Sequence, residues 1–191
     1  GVGYVLEAGF HMPPLMLTAD EFEAAVLGAQ WVQSRAEPEL AAAANSLMNK
    51  IAAVAPERLQ CSLLEPVTSV APVLPSPEAL SAAQIRMAIR SRSKILLRYR
   101  DVRDQQSTRV VWPILLGYRD AGRILAAWCE QQAAYRYFRT ERIEGGEVLK
   151  DSIPRRMAQL RAGWRTAMAA ERLRYADQQA PTPPQGERQP D

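Results

Sequence analysis

The sequence contains few residues that bind metals or react covalently. It has two cysteines, Cys61 and Cys129, and one histidine, His11, in 191 residues. A zinc site needs more cysteine or histidine ligands than this, so the composition does not support one. The cysteines have no CxxC spacing. A disulfide stays possible, although two buried thiols in a reducing cytoplasm are our preferred interpretation.

Long apolar runs and secretion signals are also missing. No stretch reaches the roughly 18 uninterrupted apolar residues that predict a membrane span. The N-terminus has no basic segment followed by an apolar run. We therefore expect a cytoplasmic protein without membrane contact. Because the chain begins at Gly1 and not at Met, we interpret it as a piece of a longer protein.

The motifs of common enzyme families are absent from the sequence. It has no P-loop, no GxSxG, no HExxH and no dinucleotide-binding glycine pattern. Carboxylates are sparse in the middle of the chain, so no general acid–base pair is suggested. We expect neither catalysis nor a cofactor.

Charge is present but unevenly distributed. Residues 1–85 carry 3 basic and 9 acidic side chains, whereas residues 86–142 carry 13 basic and 5 acidic ones. The second segment has a net charge of +8 within a chain of net charge +3. It is therefore the region in which we expect an anionic partner to bind.

The first half of the chain predicts helices followed by a linker. A capping box at Thr18–Glu21 and a proline at position 38 mark the starts of two helices. A stripe at helical spacing follows in the second helix, formed by Leu40, Ala44, Leu47, Ile51 and Val54. We expect residues 18–55 to form a helical hairpin after a short segment 1–17, and residues 56–77 to form a proline-rich linker.

The second half predicts short strands between two helices. The segment Ser76–Glu78 is expected to open a helix, and from Lys94 the apolar period changes to two. Turn signals and Pro113, which indicates a bulge or bend, divide the next 50 residues into four or five strands. We expect a β domain at 78–146, a helical extension at 147–175 and a disordered tail at 176–191. The fold class is α+β.

Four motifs follow one another in this β segment: the run Ile89–Asp101 with its Arg-Tyr-Arg end, the strand Ser107–Pro113, the triplet Leu116–Tyr118 and the segment Tyr137–Ile143. Together they resemble the WYL domain. They occur in the order and spacing of the family pattern, which makes the resemblance more specific than any single motif. The Trp-Tyr-Leu triplet of the family is replaced here by Arg123-Ile124-Leu125.

The resemblance implies a fold and a function. Members of the family fold this domain as a small antiparallel β-barrel of the Sm-like, SH3 type, and some sense nucleic acid, including single-stranded DNA. Residues 1–17 resemble the end of the winged helix-turn-helix domain of YafY-type regulators, and the two helices that follow resemble their interdomain helices. The chain would then be the effector-sensing region of a bacterial transcriptional regulator. Its DNA-binding domain, which contacts operator DNA, would be mostly missing.

Candidate ligand-binding residues lie in or beside the predicted strands. Guanidinium groups bind phosphate through two nitrogens, and aromatic rings stack on bases. Arg109, Arg139 and Arg142 lie in matching motifs and are the first candidates. The others are Tyr99, Ser107, Arg98, Arg123, Arg136 and Tyr137. Arg142 has a structural alternative, a salt bridge within the barrel. Trp112 and Trp128 are predicted core residues, and Trp164 is expected to pack the last helix onto the barrel.

The sequence is compatible with three functional hypotheses. The leading one is a sensor of nucleic acid or of a nucleotide-like anion. The second is a sensor of a small metabolite, whose carboxylate or phosphate the arginines bind. The third is an Sm-like oligomerisation module without a ligand. The helical hairpin leaves apolar surface uncovered, so we also expect a homodimer.

Overall fold

The computed structural model describes residues 16–56, 59, 70, 78–119 and 122–179, with side chains up to Glu171. The chain divides into two compact units, Gly1–Leu74 and Pro75–Asp191. The predictions for His11, Cys61, the segment 1–15 and most of the linker lie outside the described residues. Within the described part, no helix has the length and apolar character needed to cross a membrane.

In the described part of the first unit, helices α1 (Ala19–Arg35) and α2 (Pro38–Val54) pack together. The predicted capping box is present, because the Thr18 hydroxyl accepts from the backbone N–H of Glu21 while the Glu21 carboxylate accepts from Thr18. A two-residue connection joins the helices, and α1 buries Phe22 and Val26 against α2. The predicted pair of N-terminal helices is therefore confirmed.

The face of α2 that packs differs from the predicted stripe. Ala44 is buried as predicted, but Leu47 and Val54 are 50% and 82% exposed. The apolar cluster of this unit includes Ile51, as predicted, together with Met48, which the stripe did not contain. Apolar residues lie on more than one side of α2, so the sequence alone did not determine which stripe turns inward.

The residues described in the second unit form two helices and five strands. Helix α3 is Ala82–Ser91 and helix α4 is Met157–Gln179. The strands are β1 (Ser93–Arg100), β2 (Gln106–Arg119), β3 (Gly122–Cys129), β4 (Ala134–Arg139) and β5 (Ile143–Ser152), with a 3-10 turn Thr140–Arg142 between β4 and β5. The predicted α+β class and the C-terminal helix are confirmed.

Two predicted boundaries in this unit are wrong. Helix α3 begins at Ala82 and not near Ser76–Glu78, because Ser81 and Gln84 form a capping box there. The glycine pair at 145–146 does not end the sheet, since β5 continues through it to Ser152. The Arg98 guanidinium, the flexible end of an exposed side chain, lies over Gly145 in the space that a Cβ atom would fill.

All five strands form one antiparallel sheet in the order β4-β3-β2-β1-β5. The predicted closed barrel is not confirmed, because β4 and β5 are the two free edges of the described sheet. The predicted irregularity at Pro113 is present as a register shift between Pro113 and Leu115.

The sheet is nevertheless strongly curled. Three residues connect the end of β4 at Arg139 to the start of β5 at Ile143. That length of chain reaches about 14 Å. Four strand spacings in a flat sheet would require about 19 Å. The two edges must therefore approach each other at this end, which gives the sheet an inner and an outer face.

Each face of the sheet packs against one helix. The inner face buries Ile95, Leu97 and Leu125 against Ile85 and other apolar residues of α3. The outer face carries Trp112 and Trp128, which cluster with Trp164 of α4, as predicted. Two separate apolar clusters thus fix α3 and α4 on opposite faces of the sheet.

Candidate ligand-binding site

The structure brings four of the predicted site residues into one open depression of about 300 Å³. We call it the basic pocket, and its lining residues are Tyr99, Arg109, Gln132, Arg136, Tyr137 and Phe138. Strand pairing explains the assembly. Arg109 lies opposite Leu97 on β1, and Arg136 lies opposite Ala127 on β3, so both arginines belong to the inner face.

Arg109 is oriented by a neutral side chain. Its Nε donates to the Ser107 hydroxyl at 3.0 Å, and that hydroxyl donates to the Tyr99 carbonyl oxygen at 3.3 Å. Ser107 therefore supports the pocket without lining it. Among the described residues, the two terminal nitrogens of Arg109 have no hydrogen-bond acceptor and no ion-pair partner. They can donate together to a bound anion.

Arg136 is held in the same way. Its Nε donates to the side-chain amide oxygen (Oε1) of Gln132 at 2.7 Å. Gln132 lies in the turn between β3 and β4, four residues before Arg136. Within the described part of the chain, no carboxylate pairs with this guanidinium, so no partner offsets its positive charge.

Tyr99 joins the pocket to the curled edge of the sheet. Its ring packs edge-on against Phe138, with centroids 5.1 Å apart and an interplanar angle of 89°. Its hydroxyl accepts from the backbone N–H of Arg139 at 3.3 Å. The phenolic proton can therefore be donated to a ligand oxygen.

Tyr137 contacts both the basic pocket and helix α4. It lines the pocket, but alternation along β4 turns its side chain away from the face of Arg136 and Phe138. Its ring meets Trp164 of α4 at a centroid distance of 6.5 Å. Tyr137 therefore contributes to the contact with α4 as well as to the pocket.

Three other predicted site residues lie outside the pocket. Arg139 is exposed on the outer face, opposite Ile124 on β3. Arg98 is exposed on the same face and covers Gly145. Arg142 is the last residue of the 3-10 turn, and no salt bridge involving it occurs among the described residues.

Arg123 belongs to a different, largely buried arrangement. Its Nη1 contacts the Glu78 carboxylate at 2.7 Å, and the two side chains are only 16% and 14% exposed. The Thr140 hydroxyl donates to the other oxygen of the same carboxylate at 2.8 Å. We call these three residues the Glu78 cluster. The cluster ties the segment before α3 to β3 and to the 3-10 turn.

Acidic groups are near the basic pocket but do not neutralise it. Asp101 accepts from the backbone N–H of Gln105 at 3.0 Å, which is the main reason that the pKa of Asp101 is lowered. The charges of Arg103 and Arg109 lower that pKa further, to a smaller extent. Arg100, in contrast, pairs directly with Glu144 and Asp104. In the part of the chain that the structure describes, no group of three His, Cys, Asp or Glu side chains could hold a metal ion.

Sequence reasoning missed Gln132 as a pocket residue. The available signal was its position, four residues before Arg136 in a polar turn between two strands. That signal is weak, because the contact depends on the conformation of the turn, in which Ala133 has φ 45°. Phe138, which also lines the pocket, was not among the candidate residues chosen from the sequence.

A model of one protein family matches this β domain. Residues 81–148 match the model of the WYL domain family. Among solved structures, the chain is similar to proteasome accessory factor B/C (PafBC) of Arthrobacter aurescens, with 26% sequence identity and a TM-score of 0.39. The similarity covers 74% of this chain but only 22% of that chain. No match was found among curated proteins. Residues 81–148, which contain α3, most of the sheet and the basic pocket, are thus a WYL domain.

Proposed function

We propose that this chain is the effector-sensing region of a bacterial transcriptional regulator and that its basic pocket binds an anionic effector. In this proposal the effector is nucleic acid, such as single-stranded DNA, or a nucleotide. Binding controls a DNA-binding domain of the winged helix-turn-helix, YafY type, which contacts operator DNA. The presence of a WYL domain supports the regulatory role.

One observation is the main reason for proposing an anionic ligand. Arg109 and Arg136 line the same pocket, and the Nε of each is held by an uncharged oxygen, from Ser107 and Gln132 respectively. Other cations in the same sheet, such as Arg100 and Arg123, pair with carboxylates. Two oriented guanidinium groups that have no counter-ion among the described residues favour an anion from outside.

The fold proposed for this domain is the Sm-like, SH3-type barrel. The strand order, in which β4 and β5 are the edges, and the three-residue connection between those edges support it. A curled sheet of this kind leaves room for a ligand at its open end.

A salt titration tests the proposed function. Fluorescence anisotropy of a short labelled oligodeoxythymidylate should give an affinity that falls steeply as salt increases. Arg109→Ala and Arg136→Ala should each weaken binding and reduce the slope of log K against log salt by about 1. Arg90→Ala, which removes the same charge from an exposed position on α3, should leave the slope nearly unchanged. Negligible binding by the unmodified chain at low salt would contradict the proposal.

A small metabolite is the second candidate for the effector. The volume of about 300 Å³ favours it, since this is the lower end of the range for small-molecule pockets. A thermal-shift comparison of nucleotides, carboxylates and oligonucleotides separates the two candidates, because only a ligand that binds the folded state raises Tm.

A further inference from the structure

We propose that the basic pocket recognises a phosphate monoester in its dianionic form, such as the terminal phosphate of a DNA strand, in preference to the phosphodiesters of a strand interior. This inference rests on the proposed function, because it specifies the ligand group of the same pocket. It follows from the charge, the hydrogen-bond donors and the size of the pocket.

The charge of the pocket matches a dianion. Its two cations, Arg109 and Arg136, are not paired with carboxylates among the described residues, and the lining residues include no acid. A phosphodiester carries one negative charge. A monoester carries nearly two at neutral pH, because its second pKa is about 6. Only the monoester balances both guanidinium groups within one phosphate.

The hydrogen-bonding groups of the pocket are mainly donors. Both arginines present terminal N–H groups, and the Tyr99 phenol can donate since its oxygen already accepts from Arg139. The side-chain amide oxygen of Gln132, a neutral acceptor, is occupied by Arg136. A phosphate with three terminal oxygens can accept from all of these donors, whereas a diester offers only two such oxygens.

The size of the pocket also favours a chain end. A depression of about 300 Å³ holds a ligand of small-molecule size. The curled edge at Tyr99 and Arg139 borders it on one side. A terminal nucleotide can enter such a depression without a strand continuing in both directions.

The experiment compares two strands that differ in one phosphate. Anisotropy of an oligodeoxythymidylate labelled at its 3′ end is measured with and without a 5′-phosphate, at about pH 7.5 and about pH 5.5, on either side of the monoester's second pKa. We expect about tenfold tighter binding of the phosphorylated strand at the higher pH. The preference should shrink at the lower pH, where the monoester gains a proton and loses one charge.

The pocket variants show whether the preference arises at this site. Arg109→Ala and Arg136→Ala should bring the ratio of the two affinities close to one, while Arg90→Ala should keep the ratio of the unmodified chain. Arg136→Lys, which keeps the charge but loses the planar fork, should give an intermediate ratio. Thermal melting of each variant shows that the fold is intact.

Each outcome has a separate meaning. Equal binding of both strands overturns the monoester inference and leaves the proposed function standing. Negligible binding of both strands contradicts the proposed function and the inference together. Displacement of the phosphorylated strand by thymidine 5′-monophosphate but not by thymidine supports the monoester and identifies a free nucleotide as a possible source. Failure of thymidine 5′-monophosphate to compete supports a strand end.

Discussion

Arginine side chains have opposite roles in the basic pocket and in the Glu78 cluster. In the Glu78 cluster, Arg123 meets a carboxylate, and both partners are mostly buried. In the basic pocket, Arg109 and Arg136 meet uncharged oxygens and keep their terminal nitrogens exposed to a ligand. A guanidinium therefore becomes a structural group or a candidate binding group according to the charge of its partner. Position in the sequence motif does not decide between these roles.

The largest effect is expected from Glu78→Ala. The substitution leaves Arg123 and the Thr140 hydroxyl without their carboxylate in a mostly buried place. The free energy of unfolding should fall by about 2–4 kcal/mol. Urea denaturation measures this loss. Affinity for the oligonucleotide, measured under conditions in which the variant stays folded, should change little.

The matched control for this variant is Glu147→Ala, at an exposed position on β5. Its free energy of unfolding should stay within about 0.5 kcal/mol of the original. If Glu78→Ala lowers the free energy of unfolding as little as Glu147→Ala does, the Glu78 cluster does not differ from the pocket in its contribution to stability.

The second-largest effect is expected from a substitution that places a carboxylate in the pocket. Gln132→Glu keeps the shape of the side chain and converts the contact with Arg136 Nε into an ion pair. Anion affinity should fall by about tenfold, because one of the two positive charges is neutralised inside the protein. Stability should change by less than about 1 kcal/mol, since both side chains are exposed.

Gln159→Glu on α4 adds the same charge at an exposed position and serves as the control. It should weaken binding by less than about twofold, since solvent screens a distant charge. Equal losses in both variants would indicate a response to net charge and not to the pocket.

A smaller effect is expected from Ser107→Ala. This change removes the hydroxyl that orients Arg109 but leaves the guanidinium in place. Affinity should fall by about twofold to fivefold, the cost of one neutral hydrogen bond. Thr108→Ala, at the exposed neighbouring position, should have no comparable effect in the same anisotropy assay. A Ser107→Ala variant with unchanged affinity would show that Arg109 needs no support.

The smallest effect is expected from Arg139→Ala. Arg139 was a first candidate from the sequence, but its side chain lies on the outer face and only its backbone contacts Tyr99. The substitution should lower affinity by less than about twofold, as for a distant surface charge. A loss as large as that of Arg109→Ala would mean that the ligand extends beyond the pocket along β4.

Local signals in the sequence predicted much of the fold. The capping box at Thr18 and the proline at position 38 mark the starts of two helices, and Pro113 marks an irregular point in β2. These features depend on residues close together in the chain, so spacing reveals them. The start of α3 was misplaced because Ser81 and Gln84 provide a second capping box inside the predicted helix.

The candidate site was less predictable because its contacts are between distant residues. Arg123 and Glu78 are 45 positions apart, and no periodic pattern relates them. The alternation of β4 determined that Arg136 turns inward while Arg139 turns outward, but the sequence did not show which face of β4 would be the inner one. Gln132 became a pocket residue only through the turn between β3 and β4.

The hydrogen bonds that orient the two pocket arginines also affect the entropy of ligand binding. Arginine is among the side chains that lose most rotational freedom when they are fixed. Ser107 and Gln132 restrict Arg109 and Arg136 before any ligand arrives. Binding then avoids part of the roughly 0.5–1.5 kcal/mol that ordering each long side chain would otherwise cost. A preorganised pair of this kind has little freedom to adapt, so selectivity among anions should follow the geometry of the anion as well as its charge.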